Sequence, residues 1–258
     1  MKIYRLYILV FAFFIFGCTS KSDRKYIFYS GPAFFSGFTL ELDESNSEIL
    51  VSIPANYFVS DSISKTYFKF LDSIEFKKIK PFVPQDSKLK FNLREDQFEN
   101  LKANLKSLSE IHLSKKDMIP PTDGITIMLK TKSKNDSIEK VFYSPSKESN
   151  QGKIITEIYS QLEQISSKDY LFENAIENSQ RYFSDRILKL KSTNPLYVKI
   201  LTEDCGDLET EINKLPKSEK IYLDITNMRS YRDDCLEKVI RKKYAKICIV
   251  GNEAFYDE

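Results

Sequence analysis

The feature that most restricts how this chain can fold is the alternation in its last third. After Asn194-Pro195, Tyr197-Val198-Lys199-Ile200-Leu201 reads as a strand. Leu208, Ile212 and Leu215 then share one helical face, closed by Pro216. Ile221 to Ile225 is a second strand, and Leu236, Val239, Ile240 and Tyr244 mark a second helix. Ile247-Cys248-Ile249-Val250 is a third strand, apolar on both faces and therefore expected to be buried. Apolar spacing that switches between a period of 2 and a period of 3.6 separates strands from amphipathic helices. Neighbouring parallel strands need a crossover, usually a helix, and such crossovers are right-handed. The order thus predicts a small parallel β-α-β-α-β unit over 194–258. A unit of roughly 60 residues with three strands is marginal alone, so it is expected to pack against the rest of the chain.

Residues 26–193 carry a different pattern. Phe38 to Leu42 and Ile49 to Ile53 flank a polar turn from Asp43 to Glu48 and predict an antiparallel pair. Ile125 to Leu129 and Ile138 to Tyr143 surround Lys134-Asn135-Asp136 and predict a second hairpin. Phe98, Leu101, Leu105 and Leu108 lie at helical spacing, with Asn92 and Glu95 as a capping-box-like start. Ile154, Ile155, Ile158, Leu162 and Ile165 form a second apolar stripe, and a third helix is expected from Lys168 into the 180s. The expected fold class is α+β: an N-terminal region of mixed hairpins and helices packed against the small C-terminal parallel-sheet unit.

The first residues carry an address. Lys2 and Arg5 precede an uninterrupted apolar run from Leu6 to Phe16, and Gly17-Cys18 follow at once. A positive start, a short apolar run and a small residue at the cut describe a secretory signal. The run is too short to cross a bilayer, which takes roughly 20 residues. Ile15-Phe16-Gly17-Cys18 resembles the lipobox of bacterial lipoproteins, with Phe16 bulkier than is usual there. The resemblance implies removal of residues 1–17, lipidation of Cys18 and membrane anchoring through it. Two or three acyl chains anchor stably, at about 0.8 kcal/mol per buried methylene. Thr19, in place of the aspartate associated with inner-membrane retention, points by the same resemblance to the outer membrane of a Gram-negative bacterium; the membrane face is left open. Residues 18–25 then read as a polar tether.

Taking away Lys2 and Arg5 lowers the 39 basic residues to 37, level with the 37 acidic ones. A neutral chain lacks the basic stripe expected of a nucleic-acid binder. Glycine is scarce, and neither GxGxxG nor GxxxxGK[ST] occurs, so a dinucleotide or P-loop site has no sequence support. His112 is the single histidine; without a GxSxG or HExxH motif it reads as an ordinary residue rather than a catalytic base. Arg241-Lys242-Lys243 with Lys246 reads as a solvated helix end that suits the helix dipole.

With Cys18 lipidated, Cys205, Cys235 and Cys248 remain, none in a CxxC. Cys205 and Cys235 each follow a predicted parallel strand, and in an oxidising envelope a bridge between them is expected; Cys248 reads as an inert buried thiol. Open α/β sheets bind ligands outside the carboxyl ends of their strands. Those ends carry Glu203, Asp204, Asp224, Asn227 and Glu253, oxygen donors that suit Mg2+ or Ca2+.

Asp61-Ser62-Ile63, Asp72-Ser73-Ile74 and Asp136-Ser137-Ile138 repeat one triplet. Asp-Ser ahead of a strand is good turn chemistry. The triplet also resembles the Asp-Ser/Thr-apolar acceptor of O-glycosylated envelope proteins. The leading expectation is an envelope lipoprotein that works as a non-enzymatic binding or interaction module, with an unidentified protein or small-molecule partner and no nucleic acid. The alternative is a metal-dependent enzyme using the acidic sheet edge.

Overall fold

The computed structural model describes residues 23–33, 36–54, 86–113, 124–166, 169–201, 207–224 and 234–250. Its first layer is one six-stranded antiparallel sheet. The strands are β1 (Lys25–Pro32), β2 (Phe38–Asp43), β3 (Glu48–Ile53), β4 (Ser87–Asn92), β5 (Ile125–Lys132) and β6 (Ser137–Tyr143), arranged β4-β3-β2-β1-β5-β6. Strict alternation sets its inner face. Tyr26, Phe28 and Ser30 of β1, Phe38, Leu40 and Leu42 of β2, and Ile49, Val51 and Ile53 of β3 are buried, while the intervening residues are not. Because the side-chain period is 2, a one-residue slip would turn this entire set outward, so burial of one face also fixes the register.

Three helices cover that inner face. Helix α1 (Glu95–Glu110) contributes Phe98, Leu101, Leu105 and Leu108; α2 (Asn150–Ser166) contributes Ile155, Ile158, Tyr159, Leu162 and Ile165. Helix α3 (Tyr170–Gln180) adds Leu171, Phe172, Ala175 and Ile176 to the same core. It begins sharply because the Asp169 carboxylate accepts hydrogen bonds from the amides of Leu171 and Phe172, both at 3.0 Å. The expected Asn92 start for α1 is corrected: Arg94 occupies the cap, and Gln97 Oε1 accepts from the Arg94 amide at 3.2 Å.

The second layer is a four-stranded sheet of order β10-β9-β8-β7. Its strands are β7 (Leu188–Thr193), β8 (Leu196–Ile200), β9 (Lys220–Asp224) and β10 (Lys246–Val250), with α4 (Leu208–Lys214) and α5 (Asp234–Arg241) between the last three. Leu196, Val198, Ile200, Ile221 and Leu223 pack with Leu208, Ile212, Ile240 and Tyr244 into a second core, distinct from the first.

Two parts of the expected fold class are corrected here. The C-terminal unit is not a purely parallel β-α-β-α-β sheet starting at 194. It is a mixed sheet: β8–β9 and β9–β10 pair in parallel, but β7 pairs antiparallel with β8. Asn194-Pro195 is the tip of that hairpin, with a cis peptide, rather than a boundary between units. Likewise, the N-terminal region is not a set of local hairpins interleaved with helices. Strand β1, whose Lys25 falls within the expected tether, pairs with both β2 and β5 and joins the two hairpins into one sheet.

Candidate functional site

The residues with most chemistry lie where α3 meets the second sheet. Alternation along β8 sends Leu196, Val198 and Ile200 into the second core, which places Tyr197 and Lys199 on the opposite face. There Lys199 registers with Lys189 of β7 on one side and Asp224 of β9 on the other. Lys199 is fully buried and Glu177 of α3 nearly so. The Glu177 carboxylate lies 2.7 Å from Lys189 Nζ, 2.9 Å from Lys191 Nζ and 3.0 Å from Lys199 Nζ. Lys199 also donates to Asn174 Oδ1. Lys189 continues to Glu173 at 2.9 Å and Glu163 at 3.2 Å, Lys191 reaches Glu173 at 3.1 Å, and Arg186 reaches Glu163 at 3.1 Å.

Helical spacing explains the carboxylate side of this layer. Glu173 and Asn174 each stand about one turn before Glu177 on one side of α3, while Phe172, Ala175 and Ile176 face the first core. One helix thus seals an apolar core with one side and grips the second sheet with the other. Burial alone would raise the Glu177 carboxyl, but Lys199, Lys191 and Lys189 more than offset it and hold the group well below the usual carboxylate range. Burial would lower Lys189, yet Glu177 and Glu173 hold it above its ordinary value. Glu163 is opposed by burial in the same way and is drawn down by Lys189 and Arg186. These groups therefore stay charged near neutrality and neutralise one another.

Asp224 is the one residue of the expected acidic edge that is described. It is buried, and its Oδ2 accepts a hydrogen bond from Tyr197 at 2.6 Å. Glu203, Asp204, Asn227 and Glu253 lie outside the described residues, as does Cys205. Cys235 is placed only by its backbone, at the start of α5, while Cys248 is buried in β10. Cys18 also lies outside the described residues. Among the described residues, no group of three or more His, Cys, Asp or Glu side chains converges as a metal site.

His112 is exposed just beyond α1. The basic cluster near 241–246 is engaged within the C-terminal layer. Lys243 donates to the carbonyls of Ile212, Asn213 and Leu215 and so caps the end of α4; Lys242 pairs with Glu209 at 2.8 Å and Lys246 with Glu219 at 2.5 Å.

A second buried polar group, missed in the sequence, joins β1 to the helices. Ser30 Oγ lies 2.7 Å from the Tyr159 hydroxyl and donates to Ser179 Oγ at 2.7 Å, while Ser179 donates to the Ala175 carbonyl at 3.1 Å. Burial pushes the Tyr159 phenol up, only partly opposed by Ser30 and Ser179, so it remains protonated. Both polar groups consist of charges and dipoles that face one another, which suits positioning of layers rather than turnover, although the buried Glu177 Oε2 meets Lys199 only as an ion pair and takes no hydrogen bond. Compared with known proteins, the chain matches no family model and no curated protein.

Proposed function

We propose that this chain is a bacterial lipoprotein, anchored through lipid on Cys18 in the cell envelope, and that its folded part is a non-enzymatic binding or interaction module. The observation that carries the reading is the apolar run Leu6 to Phe16 followed directly by Gly17-Cys18. The mutual neutralisation of the Glu177 cluster supports the non-enzymatic part. A general acid or base is normally poised near the working pH, whereas Glu177 is held far below it.

The anchor also limits geometry. The six residues Thr19 to Arg24 separate Cys18 from the first residue of β1, so the two can be at most about 25 Å apart. The antiparallel sheet therefore works close to a bilayer surface, and its partner is a protein or small molecule available there. By the identity of Thr19, that bilayer is the outer membrane.

Fractionation tests the reading. The wild-type protein should sediment with membranes, resist a high-salt wash and be released by detergent. Cys18→Ala should abolish the lipid-bearing mature form, leaving either soluble protein or uncleaved precursor. Wild-type protein found soluble and without lipid would overturn the assignment.

A further inference from the structure

We propose that Ser137 is an acceptor for an O-linked sugar, an inference that rests on the export reading. The described copy of the repeated triplet, Asp136-Ser137-Ile138, opens β6 immediately after the hairpin loop. Every residue from Lys132 to Glu139 is exposed, and Ile138 is 46% exposed. The backbone beneath is fixed: the Ser133 amide donates to the Asp136 carbonyl at 2.8 Å, Lys132 registers with Ser137, and Lys130 pairs with Glu139 at 3.1 Å. The Asp136 carboxylate and the Ser137 hydroxyl take no partner among the described residues.

A nucleophilic hydroxyl is thus held on a rigid hairpin between an available carboxylate and an available butyl side chain. Those three features present charge, nucleophile and shape to a modifying enzyme, and the fold uses none of them. The same triplet stands at Asp61-Ser62-Ile63 and Asp72-Ser73-Ile74, outside the described residues. Turn chemistry accounts for Asp136 and Ser137 ahead of a strand, but not for the exposed Ile138 that follows.

Location selects the group transferred. On the export reading neither a nucleoside triphosphate nor a nucleotide sugar is at hand, so the sugar comes from a membrane lipid diphosphate. Ser137 Oγ attacks the anomeric carbon and forms the new C–O bond. The bond from that carbon to the phosphate oxygen breaks, and the lipid diphosphate leaves with its electron pair. The hydroxyl proton passes to a base on the transferase. No electrons are exchanged with an oxidant or reductant.

The test uses full-length protein purified from its native envelope and digested with trypsin. The peptide Asn135–Lys140 should carry a mass increment of one or more sugar residues on Ser137. Ser137→Ala should remove that increment from the intact mass, and Asp136→Ala should reduce occupancy at least tenfold. Ser133→Ala, on the same hairpin but without a preceding Asp, should leave it unchanged. An unmodified peptide from protein carrying lipid on Cys18 overturns the sugar proposal alone, as does a phosphate increment. An unmodified peptide together with an uncleaved N-terminus overturns the export reading and the sugar with it.

Discussion

At the scale of single residues, the decisive environment is that of Glu177, whose carboxylate faces three ammonium groups with almost no access to water. Taking such charges out of water is costly, and the pairing repays it only while every partner is present. Glu177→Gln should therefore destabilise the protein by about 3–5 kcal/mol, because Lys199 is left buried without its counter-charge. Lys199→Met should cost a similar amount, while the Glu177→Gln/Lys199→Met double variant should lose much less than the sum. A denaturation cycle on the four proteins checks this coupling. The pH dependence has a definite sign. A carboxylate drawn down on folding contributes stability above its unfolded value of about 4.3, and that contribution is lost as pH falls below it. Urea midpoints should thus fall steeply from about pH 5 downward in the wild type and less steeply in Glu177→Gln. At Asp224, Tyr197→Phe removes a hydrogen bond to a buried carboxylate and should cost about 1.5–3 kcal/mol in the same assay.

At the scale of elements, α3 carries the most responsibility, since Phe172 and Ile176 close the first core while Glu173 and Glu177 hold the second sheet. In α1, by contrast, the inward stripe serves one core only. Leu105→Ala should cost about 2–5 kcal/mol by leaving a cavity, measurable by thermal or urea unfolding. The difference bears on what could be read in advance. The stripes of α1 and α2 and the strands β2, β3, β5 and β8 were visible because local periodicity reports directly on burial. Strand β7 was not, since Leu188-Lys189-Leu190-Lys191 looks like a strand with a solvated face, and its lysines find Glu163, Glu173 and Glu177 only through tertiary packing. Missing β7 made a mixed sheet look parallel. The triplet at Asp136 was visible as a motif, but its accessibility became evident only with the hairpin. Asp224 stood out as an acidic strand end, whereas its bond to Tyr197 depends on two strands lying side by side.

At the scale of the whole molecule, two apolar cores are joined through a charged layer rather than fused into one. Each charge in that layer has particular partners across it, and leaving one buried without its counter-charge would be costly. The proposed tether holds the first residue of β1 within about 25 Å of a bilayer. The most direct test of the central claim is the mass of the N-terminal tryptic peptide from membrane-purified protein. Cleavage before Cys18 should leave a peptide Cys18-Thr19-Ser20-Lys21 heavier by a diacylglyceryl group, with or without a further acyl chain. A peptide that retains residues upstream of Cys18, or a Cys18 without lipid, would contradict it.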